Sequence, residues 1–71
     1  MHYRTVASSS MGAVAYDAER ATLALRFHNG AEYHYFMVPQ QLYEGLVAAP
    51  SKGAYFHDHI RDAGYRFIKI S

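Results

Sequence analysis

Between Ala21 and Met37 the chain reads as two extended runs joined by Asn29-Gly30, and this segment limits the fold more than any other. Ala21–Phe27 alternates, with Leu23, Leu25 and Phe27 on one side and Thr22, Ala24 and Arg26 on the other, the period of a half-buried strand. Asn29 and Gly30 both tolerate positive φ, so the chain reverses there into a return strand over Ala31–Met37. Such a hairpin has one apolar face, and a stable fold must cover it.

Two registers of this hairpin are open. A two-residue turn sets His28 opposite Ala31 and puts Tyr33 and Tyr35 on the side of Arg26 and Ala24, where both rings are displayed. A three-residue loop, His28-Asn29-Gly30 with glycine in the left-handed bulge position, sets Phe27 opposite Ala31, Leu25 opposite Tyr33 and Leu23 opposite Tyr35. Both rings are then core. The second register also pairs Arg26 with Glu32 and gathers the apolar residues on one face, so hydrophobic patterning favours it.

The flanking segments supply the rest of the sheet and its cover. Val6 begins a short edge segment, Ser8-Ser9-Ser10 is a polar turn, and Met11–Tyr16 reads as a strand with Val14 and Tyr16 on one face. Asp17–Arg20 is a turn by composition. After Val38-Pro39, the residues Leu42, Tyr43, Leu46 and Val47 recur at helical spacing, which predicts a helix from about Pro39 to Ala48. Pro50 blocks its continuation, Ser51 is a fitting N-cap, and Ala54–Arg61 forms a second short helix with Phe56 and Ile60 four residues apart. Gly64 ends that helix, and Tyr65–Ile70, rich in aromatic and β-branched residues, reads as a closing strand. The expected fold class is α+β: a small antiparallel meander of three strands, two short helices and a closing strand, in one domain over residues 1–71.

Composition removes several function classes. With no cysteine, the chain has no disulfide scaffold, thiolate zinc site, iron–sulfur ligation or cysteine nucleophile. Hydrophobic residues make up 51% of the chain, but many are Ala, so the core is expected to draw on the seven Tyr and four Phe. Seven Lys and Arg against six Asp and Glu give a net charge of +1, short of the footprint of a dedicated nucleic-acid binder. Met1–Thr5 lacks a basic segment followed by an apolar run, and no apolar stretch approaches the roughly 20 residues that span a bilayer. The chain therefore reads as cytoplasmic, with no membrane association.

The order Ser8-Ser9-Ser10, Tyr16-Asp17, Leu23-x-Leu25-x-Phe27-x-Asn29-Gly30, Tyr33-x-Tyr35, Val38-Pro39, Tyr43, Ser51-Lys52-Gly53 and Tyr55-Phe56 resembles the KTSC domain. That family is named for its place at the C-terminus of some lysyl-tRNA synthetases, and it also occurs as a free-standing small bacterial protein. Tyr33 and Tyr35 match its central motif. The resemblance implies a domain without an established function, for which RNA binding has been suggested through the synthetase association. Where many members carry Asn in the second helix, this chain has His57-Asp58-His59.

Each candidate residue has a plainer reading beside the functional one. Tyr33 and Tyr35 are suited to stacking unpaired bases, and equally to a core pair whose hydroxyls reach the rim. Lys52 and Gly53 open a helix, where free N–H groups attract a phosphate that glycine lets approach; the alternative is a capped helix with an exposed Lys. Arg61, Arg66 and Lys69 are candidates for phosphate contact, although Arg66 and Lys69 fall on opposite faces of the closing strand. His57 and His59, two apart on a helix, point away from each other and suit a solvated face better than a metal site. No catalytic motif or cofactor loop frames the serines, histidines and aspartates, so neither an enzyme nor a cofactor is expected. Two classes remain: a weak RNA-binding module using Lys52, Gly53, Arg61, Arg66, Tyr33 and Tyr35, on a tRNA-like partner, or a protein-interaction or homodimeric module presenting Phe36, Ile68 and Ile70.

Overall fold

A computed structural model describes residues 1–71 as a five-stranded antiparallel sheet with both helices on one face. The strands are β1 (Arg4–Thr5), β2 (Met11–Asp17), β3 (Thr22–Phe27), β4 (Glu32–Tyr35) and β5 (Phe67–Lys69), and they lie in the sheet in chain order. Between β4 and β5 come α1 (Gln40–Ala48), α2 (Lys52–His59) and a 3₁₀ turn (Arg61–Ala63). The three-stranded meander of the sequence reading is thus extended by one strand at each edge. Its early edge strand is Arg4–Thr5, just before Val6, and is only two residues long, too short to show alternation. It exists through its pairing of Arg4 with Val14 and Thr5 with Ala13, helped by the Val6 N–H donating to the Gly12 carbonyl at 3.2 Å. The closing strand is shorter than Tyr65–Ile70 suggests.

The central hairpin adopts the three-residue loop. The Phe27 N–H donates to the Ala31 carbonyl at 2.9 Å, the Gly30 N–H donates to the Phe27 carbonyl at 3.0 Å, and Gly30 has φ 91°. Glycine is suited to that value because it has no Cβ to clash. Leu23 pairs with Tyr35, Leu25 with Tyr33 and Arg26 with Glu32, so the tyrosines share the helix-covered face. Two residues other than glycine also hold positive φ, Ala21 at 51° and Met37 at 58°, and they bracket the backbone bond from the Val38 N–H to the Ala21 carbonyl.

Helix boundaries follow their punctuation. Pro39, expected as the first residue of the helix, stands instead at the N-cap of α1, one residue before it begins, and its carbonyl accepts from Leu42 N–H at 3.0 Å. Ser51 caps α2, accepting from the Ala54 N–H at 3.3 Å. That cap starts α2 two residues earlier than Ala54, and the turn at Arg61–Ala63 is 3₁₀ rather than α before left-handed Gly64 closes it. No helix is long and apolar enough to cross a membrane.

The core is less aromatic than composition suggests. Its nine-residue centre is Met11, Val14, Leu23, Leu25, Tyr35, Val38, Leu46, Phe56 and Ile60, of which two are rings. Tyr16, Phe27, Tyr33, Tyr43, Tyr55 and Tyr65 pack around it half-buried. The physical reason is size: a domain with a radius of gyration of 10.7 Å has room for few whole rings, and a tyrosine hydroxyl must reach a partner or water. Tyr16 shows the compromise, stacking on Tyr43 at 5.2 Å while its hydroxyl donates to the Val38 carbonyl at 2.5 Å. Each fully buried Leu or Ile contributes about 1.5–3 kcal/mol, so the aliphatic centre carries the stability and the rings keep one side available.

On the other sheet face Tyr3 acts as a strap. Its hydroxyl donates to Glu32 Oε2 at 2.6 Å, and the Arg26 guanidinium lies 3.9 Å from its ring centroid. Tyr3 precedes β1 and Glu32 lies on β4, with β2 and β3 between them. Strands are roughly 4.8 Å apart, so the two side chains meet only by lying along the sheet. Ala13, Ala15 and Ala24 leave the space for that, and Ala15 and Ala24 are fully buried.

Candidate functional site

The sheet's helix-covered face is closed over β2 and β3 but open toward β4 and β5. There, at the hairpin end, a cleft of about 550 Å³ lies between the sheet, α2 and the 3₁₀ turn. Its apolar lining is built by three elements. Phe27, Tyr33 and Tyr35 come from the hairpin, Phe56 from α2 and Phe67 from β5. The β4–β5 register sets Phe67 opposite Tyr35 and Lys69 opposite Tyr33, which brings both residues of β5 to the cleft's side of the sheet.

These five rings form a closed circuit. Phe27 meets Tyr33 edge-on at 5.8 Å, Tyr33 tilts against Phe67 at 5.8 Å, and Phe67 stacks on Tyr35 at 5.1 Å. Tyr35 then meets Phe56, and Phe56 meets Phe27, each edge-on at 5.6 Å. Such offset and edge contacts hold ring orientations that apolar burial alone leaves free. Tyr35 and Phe56 are the buried side of the circuit, whereas Tyr33 is half-buried and Phe67 is 53% exposed. One aromatic wall therefore faces water.

The rim is polar and carries both charges. Asn29, Arg61 and Asp62 line it. Asn29 Oδ1 accepts from the Ala31 N–H at 2.9 Å, which leaves its amide N–H groups for other partners. Arg61 makes no ion pair and neither does Lys69 at the end of β5. Asp62 Oδ2 faces His57 Nδ1 at 3.5 Å, a loose contact. Burial pushes the Tyr35 phenol above its ordinary range, and the neighbouring Tyr33 adds to this while Arg61 opposes it. The phenol is neutral at physiological pH and presents a surface for contact rather than a charge.

The residues singled out from sequence separate into three places. Tyr33, Tyr35 and Arg61 meet at the aromatic cleft. Lys52 and Gly53 lie about a second, polar hollow of roughly 300 Å³ with Ser8, Ser9 and Ser51. There the Lys52 ammonium donates to the Ala49 carbonyl at 3.0 Å, and a Cβ built on Gly53 would meet Ser10 Oγ at 3.0 Å. Ser8 Oγ accepts from the N–H groups of Ser10 and Met11, each at 3.2 Å. Lys52 and Gly53 are thus used in joining α1, α2 and the serine turn. Arg66 is on neither site: alternation along β5 places it with Ile68 on the far face, and its carbonyl accepts from the Phe36 N–H at 2.9 Å. The imidazoles diverge too, since His59 packs tilted against Tyr55 at 4.5 Å while His57 faces Asp58 and Asp62.

Sequence reasoning missed Phe27, Phe56, Phe67, Asn29 and Asp62 as members of the cleft. Pairing the closing strand with β4 would have set Phe67 beside Tyr35, but the long helical connection hides that partnership.

Comparison with known proteins places this geometry. A family model described as the KTSC domain matches residues 7–65. An uncharacterized protein of Stutzerimonas stutzeri is 35% identical over 63 residues, covering 89% of each chain. A lysine–tRNA ligase of a Nostoc species is 45% identical over 53 residues, which are 75% of this chain and 9% of the ligase. Among solved structures, the crystal structure of a KTSC domain protein from Yersinia pestis superposes with a TM-score of 0.90 at 28% identity, covering 99% of this chain and 97% of the other.

Proposed function

The chain belongs to the KTSC domain family, and on that premise we propose that it is a weak RNA-binding module that works by contact and without turnover. The observation that carries the reading is the aromatic circuit, open on the side of Tyr33 and Phe67, with Arg61 on its rim and Lys69 opposite Tyr33 on the same side of the sheet, two cations with no ion pair. Unstacked bases lie against aromatic faces, at roughly 1–3 kcal/mol per stack, while cations follow the phosphates. The similarity to a lysine–tRNA ligase supports a tRNA-like partner. A net charge of +1 fits modest affinity, which a linked domain would raise by effective concentration.

Titration of a labelled single-stranded RNA at several salt concentrations tests this. Two phosphate contacts, from Arg61 and Lys69, give a log–log slope of about −1.4, or about sevenfold weaker binding between roughly 50 and 200 mM salt. Absence of binding at the lowest salt would remove the RNA reading.

A second reading has its own observation. On β5 and just beyond it, Phe67, Ile68 and Ile70 are 53%, 50% and 46% exposed, whereas Phe36 is half-buried. The Arg66 carbonyl accepts inward from the Phe36 N–H just after β4, and the Ile70 N–H donates inward to the Glu32 carbonyl on β4, so Phe67 and Lys69 turn their backbone groups outward along an open edge. Pairing of this edge with a second copy makes a homodimer. Sedimentation equilibrium showing a dimer that Ile68→Lys dissociates would favour this reading.

A further inference from the structure

We infer that the aromatic cleft selects guanine, with the Asp62 carboxylate as the group that reads the base; the inference rests on the RNA-binding reading and deepens it. A carboxylate is a poor neighbour for a bound phosphate, yet Asp62 shares the cleft rim with the unpaired Arg61. Phosphate contact therefore belongs to Arg61 and Lys69, neither of which is ion-paired with the carboxylate, and the part of a nucleotide that suits Asp62 is a neutral edge bearing donors. An ionised carboxylate only accepts hydrogen bonds, and its two oxygens can take two parallel donors at once.

The four bases differ in what they offer such an acceptor. Guanine presents N1–H and the N2 amino group side by side on one edge, which matches two oxygens. Adenine and cytosine present a single amino group beside an unprotonated ring nitrogen, which repels the second oxygen. Uracil presents one N–H between two carbonyls, the least favourable of the four. Asp62 has capacity for the guanine pair, because its one ion pair is the loose contact of Oδ2 with His57 Nδ1 at 3.5 Å. Across the cleft the Asn29 amide keeps its donors free, since Oδ1 is the atom bonded to the Ala31 N–H. A donor there suits guanine O6. The walls complete the site, with Phe67 and Tyr33 offering ring surface to the base plane.

Uridine decamers carrying one central G, A, C or U, titrated by fluorescence anisotropy into wild type, Asp62→Ala and Asp62→Asn, test the inference. Wild type is expected to bind the G decamer about tenfold tighter than the others, the discrimination of one bidentate contact. Both variants are expected to lose that preference, so that all four decamers bind alike, with unchanged circular dichroism. Equal binding of all four decamers, or a G preference that survives both substitutions, overturns the inference and leaves the RNA reading standing. Failure of every decamer to bind at low salt overturns both.

Discussion

Replacing Phe67 by Ala separates the cleft's binding surface from its structural side. A fully covered Phe buries roughly 200 Å², and at 53% exposure just under half of that is lost from water. About 100 Å² at about 25 cal/mol/Å² is about 2.5 kcal/mol, and a compact unfolded chain brings it nearer 2 kcal/mol. A domain of this length has a stability of roughly 4–11 kcal/mol, so the variant stays folded. Its RNA affinity, by contrast, loses one stacking surface, which at roughly 1–3 kcal/mol is a 5- to 150-fold weakening. Tyr35→Ala is the contrasting case: that ring is 5% exposed, its removal costs about 3–5 kcal/mol, and lost binding there would report unfolding. Urea denaturation of Phe67→Ala, followed by titration with single-stranded RNA, checks both halves. Full affinity in a folded Phe67→Ala protein would refute the assignment of the cleft as the RNA surface.

Three further outcomes follow from the same contacts. Tyr3→Phe should cost about 1–2 kcal/mol and flatten the pH dependence of stability at both ends. The Tyr3 hydrogen bond holds the Glu32 carboxyl below its ordinary range, with burial opposing and Arg26 assisting, so this stability is present above the ordinary carboxylate value and lost as acid titrates the folded form. Tyr3 itself is pushed up from 10.0 to about 12, by burial first and then by Glu32, so its contribution is complete below pH 10.0 and fades as pH rises toward 12; urea midpoints across pH in both proteins test this. Met37→Gly should raise stability by up to about 1 kcal/mol, because Met37 holds φ 58° and its side chain is 76% exposed; a lower melting temperature would contradict that. Lys52→Ala should leave the salt slope of RNA binding unchanged, since its ammonium is bonded to Ala49, whereas Lys69→Ala should reduce the slope by about 0.7.

Much of the fold was legible because local signals agreed. Leu23, Leu25 and Phe27 in alternation, the Arg26–Glu32 pair and a glycine at the bulge position converge on one register, and that register set Tyr33 and Tyr35 on the covered face. Pro39 and Ser51 marked where the helices begin because each supplies or forgoes a specific backbone bond. What stayed hidden depends on partners distant in sequence. β1 is too short to have a pattern, and Phe67 joins Tyr35 only across a connection containing both helices. Lys52 looked like a free charge because nothing in the sequence shows that the Ala49 carbonyl at the end of α1 is within its reach. Ala21 and Met37 carry no mark of their positive φ, since a glycine would normally announce it.

The site itself was half legible. The Tyr33-x-Tyr35 spacing and Arg61 were found from sequence, yet the reading treated each ring as either core or displayed. The structure makes one ring of the pair core and the other wall, because the circuit through Phe27, Phe56 and Phe67 lets a ring stabilise the fold on one side and face water on the other.

Backbone amide chemical-shift mapping, by titrating isotope-labelled protein with short single-stranded RNA at low salt, tests the central claim most directly. The cleft as an RNA surface requires the largest shifts at Asn29, Tyr33, Arg61, Asp62, Phe67 and Lys69, with little change at Ser8–Ser10 and Ser51–Gly53. Shifts confined to the serine hollow, or no shifts at all, would contradict it.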